Sequence, residues 1–302
     1  MRLTSFISFF KIKKAILYLG MVAKSKMDLV RLSNLSMKDV GKIFELAAEV
    51  EQNNYSGFLQ NKTIVLFFPP SSIRTRVSFE KGIKLLGGQA ILFPSDALDK
   101  KEDIRDVTRY LNNWSDCIVV RHNNISLIER MAGASFVPII NAMTDVNHPC
   151  EILSDLFTLS NLRANYLADN YLFVGAQSNI GLAWKEAADL FGLAFSQSCP
   201  RTYEMEGVAI EHDLKKAMLN KDIILTDSIN HDNLKAFKNY QITASLMAIA
   251  NKNALLNPCP PFFRGEEVSA EVMESKYFVG YEFKKSLLAV QQAIILYCMM
   301  NS

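Results

Sequence analysis

The chain predicts an α/β protein of two doubly wound parallel-sheet domains. Three observations carry that prediction. Thr63 to Phe68 is a short apolar run rich in β-branched and aromatic residues, as a fully buried strand should be, and Gln89 to Phe93, Asp116 to Val120 and Phe136 to Asn141 read as three further strands. Helical periodicities alternate with them, the pattern of parallel β-α-β units. After one long helical stretch the alternation starts afresh at Asn170 to Gly175, and 302 residues suffice to bury two cores.

In chain order, Ser36-Met37-Lys38-Asp39 opens a helix with Val40, Ile43, Phe44, Leu46 and Ala47 on one side. The strand at 63–68 is stopped by Pro69 and Pro70. Ser71 or Ser72 can cap the next helix, in which Val77, Phe79, Ile83 and Leu86 form the apolar face and Gly87-Gly88 the end. The second strand, 89–93, leads to a polar loop, Pro94 to Asp103, and a helix from about Asp103 to Asn113. The third strand ends at Arg121, and open α/β sheets place ligands at the carboxyl ends of their strands. After the fourth strand, Ile152, Leu153, Leu156, Phe157 and Leu159 predict one helix over His148 to Asn161, with Pro149 favourable in its first turn. The second set predicts helices near 183–191 and 208–219 and strands near 193–198, 222–227, 241–246 and 254–259. A strongly apolar helix over about 282–300 closes the chain.

Phe67 to Glu80, FFPPSSIRTRVSFE, concentrates hydroxyls and guanidinium groups where a buried strand turns into a helix. Free N–H groups and the positive dipole end there can hold a phosphate, helped by Ser72, Thr75 and the Arg74 fork. A capped helix with solvated arginines satisfies the same local pattern.

Composition narrows the function classes. With 33 basic against 31 acidic residues, the chain shows no charge excess of the kind a nucleic-acid surface needs. Five cysteines without paired spacing suit a reducing cytoplasm. Phe6 to Val22 is apolar but interrupted by Lys11, Lys13 and Lys14, too broken to span a bilayer and with its charges misplaced for a secretory signal. Residues 1–27 therefore read as an extension, with Met21 or Met27 as alternative starts, and no membrane partner is expected.

Ser72-Ile73-Arg74-Thr75-Arg76 with Ser78-Phe79-Glu80 resembles the Ser-Thr-Arg-Thr-Arg phosphate loop of the aspartate and ornithine carbamoyltransferases. His148-Pro149-Cys150-Glu151-Ile152-Leu153-Ser154-Asp155 resembles that family's His-Pro-x-Gln-x-Leu-x-Asp motif. The resemblance runs from about residue 28 to the C-terminus. It implies a carbamoyl phosphate-binding domain over 28–150 completed by a C-terminal helix at 284–302, and an acceptor-binding domain over 151–283. A bridging helix and the C-terminal helix would join the two. It also implies carbamoyl transfer to an amine in amino-acid metabolism, without metal or cofactor, in a cytoplasmic homotrimer or multiple of trimers with shared active sites.

Carried over residue by residue, the resemblance assigns carbamoyl phosphate to Ser72, the Ile73 backbone, Arg74, Thr75, Arg121, His148, Glu151 and the Pro258-Cys259 backbone. Arg74, Thr75, Arg121 and His148 are the catalytic candidates. Lys100 or Lys101 would reach a neighbouring subunit's site, although a solvated charge cluster is the commoner role for any single such lysine. Asn179, Asp227, His231 and Lys284 are the acceptor-side candidates.

Several positions depart from the family pattern. Ile73 replaces a hydroxyl. Glu151 replaces a glutamine and brings negative charge toward a dianionic phosphate, so either its pKa is raised or binding is weakened. Asn257-Pro258-Cys259-Pro260-Pro261 replaces His-Pro-Leu-Pro or His-Cys-Leu-Pro. The absence of arginine from 179–183 and 226–232 disfavours aspartate as acceptor. Asn179 and Asp227 match the ornithine branch, whereas Asn230-His231-Asp232 replaces its Ser-Met-Gly and Lys284 its arginine. The sequence therefore favours ornithine, with aspartate, another amine, or a non-catalytic paralogue as the readings to test against it.

Overall fold

A computed structural model describes residues 26–302. Of the expected extension, only residues 26 and 27 fall within it. The first helix, α1 (Met37–Glu51), begins as its sequence predicts: Ser36 accepts from the Asp39 amide, and the Asp39 carboxylate accepts from the Ser36 amide. Then come β1 (Thr63–Phe67), α2 (Ile73–Leu85), β2 (Gln89–Phe93), α3 (Ile104–Leu111), β3 (Cys117–Arg121), α4 (Ile125–Ala134) and β4 (Ile139–Met143). These four strands form one parallel sheet in the order β2-β1-β3-β4.

The helix α5 (Pro149–Leu162) passes to the second unit, which contains β5 (Asn170–Val174), α6 (Asn179–Phe191), β6 (Ala194–Ser198), β7 (Ala209–Ile210), α7 (Leu214–Ala217), β8 (Ile223–Thr226), α8 (Leu234–Phe237), α9 (Ala244–Met247) and β9 (Leu255–Pro258). Its parallel sheet runs β7-β6-β5-β8-β9. In both sheets the strand order reverses beside the first strand, between β1 and β3 and between β5 and β8. Connections leave such a point in opposite directions, which opens a crevice at the carboxyl ends of the strands.

The expectation of two doubly wound sheets with a bridging and a C-terminal helix is met, and three of the predicted elements differ in detail. Residues 208–219 form a two-residue edge strand and a one-turn helix, because Asp213 caps a new start by accepting from the Lys215 and Lys216 amides. Around 241–246 there is a single bridge, Ile242 to Val268, followed by the short α9, which Thr243 caps. The predicted terminal helix is two: α10 (Gly280–Phe283) and α11 (Ser286–Met300), with Lys284 at the break.

The α11 helix is apolar nearly all round and correspondingly buried, packed against α1, α2 and α5. Thr158 Oγ1 donates to the Phe283 carbonyl at 3.0 Å, and Gln292 Nε2 donates to the Gly82 carbonyl at 3.1 Å. Residues of both sheets and of α11 belong to one continuous buried cluster, which ties the two units together. Among the described residues, no helix is long and apolar enough to cross a membrane.

Candidate active site

The two crevices face each other across a cleft of about 760 Å³. From the first unit, Ser72, Ile73, Arg74 and Thr75 reach it from the β1–α2 turn, and Arg121 from the end of β3. Ser72 stands at the N-cap position of α2 but its side chain caps nothing. Its Oγ instead accepts from Arg121 Nη1 at 3.0 Å, and Thr75 Oγ1 lies 3.5 Å from the same nitrogen. The β3 register shifts between Val120 and Arg121, and such an irregularity re-aims a side chain at a sheet end. Burial and the nearby Arg74 draw the Arg121 pKa down from its ordinary value. Arg76 is absent from the cleft and pairs with Glu80 at 2.6 Å, so only one arginine of the α2 stretch serves it.

His148 and Glu151 enter from the first turn of α5. Burial pushes the His148 imidazole down to about 4, beyond what the neighbouring Glu151 charge restores, so the ring is neutral at pH 7. Its Nδ1 is buried and bonded to nothing among the described residues. From the second unit come Asn179 at the start of α6, Asp227 and Ser228 after β8, and Cys259, Pro260 and Pro261 after β9. Asn179 Nδ2 donates to the Thr144 carbonyl at 2.8 Å, tying α6 to the first unit. Burial raises the Asp227 carboxyl above its ordinary value, with a Ser178 hydrogen bond partly offsetting it. Burial also holds Cys259 as a neutral thiol.

Glu151 departs from expectation. Burial opposes its ionisation, but the Lys284 charge and hydrogen bond, with Arg74, outweigh that and hold the carboxyl below its ordinary value. Lys284 Nζ lies 2.6 Å from Glu151 Oε1 and 2.6 Å from Asp155 Oδ1. Asp155 Oδ2 in turn accepts from Asn257 Nδ2 at 2.8 Å. Lys284 thus lines the cleft while paired with two carboxylates. Its pKa is held well up by them against burial. Asp155 and Asn257 were missed as members of this cluster, although Glu151 and Asp155 are four residues apart and so share a helix face.

Four candidates are not brought to the cleft. His231 sits on an exposed turn and its side chain is 93% exposed. Pro258 is buried as the last residue of β9, and the cleft begins one residue later at Cys259. Lys100 and Lys101 lie exposed in the 94–103 loop, away from their own chain's cleft. That loop is held to the end of β3 by His122 Nε2 against Asp99 Oδ1 at 2.9 Å. Met143, Leu287 and Leu288 add to an apolar lining that also includes Val77 and Ile180, and nothing in the local sequence of these three marks them out.

Fold and cleft together define a two-unit α/β protein whose cleft is lined by hydroxyls and guanidinium groups from one unit and by a carboxylate and an amide from the other. The family model for the aspartate/ornithine carbamoyltransferase carbamoyl-P binding domain matches residues 27–161, and that for the Asp/Orn binding domain matches residues 169–298. The chain belongs to the aspartate/ornithine carbamoyltransferase family and is a carbamoyltransferase. It is 34% identical over 291 residues to the ornithine carbamoyltransferase of Hydrogenovibrio crunogenus, covering 89% of this chain and 96% of that protein. To the ornithine carbamoyltransferase of Syntrophus aciditrophicus it is 32% identical over 297 residues, covering 89% and 98%. The structure of ornithine carbamoyltransferase from Burkholderia thailandensis superposes with a TM-score of 0.85 at 27% identity, covering 91% of this chain and 99% of that one.

Proposed function

We propose that this carbamoyltransferase carries the carbamoyl group of carbamoyl phosphate to the side-chain amine of ornithine, giving citrulline and phosphate. The amine nitrogen forms a bond to the carbonyl carbon as the carbon–oxygen bond to phosphate breaks; the amine loses a proton and phosphate leaves. Residues 28–150 with 284–302 serve carbamoyl phosphate in this reading, and 151–283 the acceptor.

Ser72, the Ile73 amide, Arg74 and Thr75 hold the phosphate at the head of α2, where N–H groups and a guanidinium favour an anion. Thr75, Arg121 and neutral His148 donate to the carbonyl oxygen as negative charge develops on it. One such donor is worth about 10²–10³ in rate where it is arranged in advance. Asp227 receives the acceptor's α-ammonium and Asn179 its carboxylate. The observation that carries the reading is the Arg121–Ser72–Thr75 arrangement lining one cleft with Asp227 and Asn179 of the other unit. The lack of an arginine on the acceptor side disfavours the second carboxylate of aspartate. Lys100 or Lys101, exposed on their loop, complete a neighbouring subunit's cleft in a homotrimer.

A ureido-product assay with carbamoyl phosphate and ornithine, aspartate, putrescine, lysine or acylated ornithines tests this. Turnover with ornithine well above the others is the expected result. Preference for another amine replaces the acceptor, and no turnover alongside measurable phosphate binding favours a non-catalytic paralogue.

A further inference from the structure

Glu151 is an awkward neighbour for an anion. It lines the same cleft as Arg74, Arg121 and His148, in the first turn of α5, and its charge acts on both Arg121 and His148. An unpaired carboxylate there would repel a phosphate through a poorly screened interior. What the tertiary structure sets against it is Lys284, which comes from the break between α10 and α11, over a hundred residues further along the chain. Lys284 reaches Glu151 and Asp155 together, at 2.6 Å each, and its side chain is only 18% exposed. Asp155 is anchored from the other side by Asn257, so the ammonium is gripped from α5 and, through Asn257, from the end of β9.

We propose that Lys284 is a positioning residue for the carbamoyl phosphate side of the cleft: it fixes the Glu151 carboxylate and cancels its charge, so that Glu151 can stand beside a dianionic ligand. One ammonium on Oε1 leaves the carboxylate further lone pairs, and these accept from the N–H groups of the carbamoyl end of the ligand. Glu151 and Lys284 therefore act as one unit of chemistry, and their substitutions are coupled. The inference rests on the carbamoyl phosphate side assigned under Proposed function.

The charges give the test its form. With both carboxylates ionised, the Glu151–Asp155–Lys284 cluster carries one net negative charge. K284M makes that two, E151Q makes it zero, and the double variant E151Q/K284M returns it to one. Inorganic phosphate is the probe, titrated by calorimetry into the full-length chain, with thermal unfolding recorded on each variant. K284M is expected to weaken phosphate binding at least about tenfold, and the double variant to recover to within about threefold of the starting protein. E151Q binds at least as tightly as the starting protein, and K284R, whose guanidinium can serve both carboxylates, stays within about threefold.

A purely structural lysine predicts otherwise: K284M and the double variant would be equally impaired, and that result overturns the proposal, as does a K284M that binds normally. Should K284M not fold, E151Q and K284R decide, and weaker phosphate binding by E151Q overturns it. A starting protein that binds no phosphate removes the carbamoyl phosphate site along with this inference. A starting protein that binds phosphate and shows no coupling removes the inference alone.

Discussion

Arg121 Nη1 donates to Ser72 Oγ at 3.0 Å, joining the ends of two neighbouring strands across the point where the first sheet reverses its order. The guanidinium is thereby aimed before any ligand arrives, and prearranged donors cost no reorganisation during reaction. R121M should lower kcat/KM by about 10²–10³ through lost transition-state stabilisation. S72A, which removes one phosphate contact and the acceptor that orients Arg121 but no charge, should raise KM for carbamoyl phosphate by about tenfold or less while the fold survives. Steady-state kinetics decide. Equal losses in the two variants would mean that the Arg121 charge adds nothing beyond the Ser72 hydroxyl.

Asp227 tests the opposite wall. D227N keeps the shape and removes the charge, so KM for the amine acceptor should rise by about 10–100-fold with little change in KM for carbamoyl phosphate. A larger effect on carbamoyl phosphate than on the amine would contradict the assignment of the two walls.

His148 gives stability a pH dependence. Its folded pKa is lowered from 6.5 to about 4, so between those values the unfolded chain binds more protons than the folded one. The His148 contribution to stability therefore falls as pH drops through that window, by up to about 3 kcal/mol for a shift of this size. Urea unfolding of H148Q across pH 4 to 7 should lack that loss. The imidazole nitrogen shifts of the native protein should show a neutral ring at pH 6.

Asp155 works in the other direction. Burial, then repulsion from Glu151, outweigh Lys284 and push it up to about 6 from 3.8. Its contribution is fully present below 3.8 and is lost as pH rises through about 6. D155N should therefore lose stability more steeply than the native protein on acidification from pH 6 to 4, because the His148 slope is then less opposed. Unfolding midpoints in a pH series would show an unchanged slope if the Asp155 assignment is wrong.

The seat of α11 is tight at Gly82, where an added Cβ would lie 2.9 Å from Gln292 Cγ. G82A should destabilise the protein by about 1–3 kcal/mol, since the overlap falls between two buried helices rather than at a flexible tip. Thermal unfolding measures it. An unchanged midpoint would show that Gln292 moves aside freely.

Much of this was legible in the chain. The strands at 63–67, 89–93 and 117–121 were readable because each is a mainly apolar run ended by proline or a charged residue. Ser72, Arg74, Thr75 and Arg121 were readable as candidates because strand ends and helix starts are where backbone geometry offers an anion site. The region from 208 to 246 was misread. Its apolar residues, such as Leu214, Ala217, Ile242 and Met247, are buried from short turns and bridges, so burial there does not follow from a helix or strand period. His231 was misjudged for a related reason: being next to a functional loop in sequence does not turn a side chain inward.

The sequence by itself determined the two alternating α/β halves, the strand-end position of the candidate anion site and its candidate donors, because these follow from local periodicity, capping and hydroxyl and guanidinium chemistry. Only the tertiary structure decided the state of Glu151. In the chain it is a lone acid where charge is unwelcome; in the fold it is paired with Lys284, backed by Asp155 and Asn257. An ion pair between residues 151 and 284 leaves no periodic trace in sequence. It arises when α11 packs against α5 and brings a lysine within reach, and burial there makes the charge balance matter.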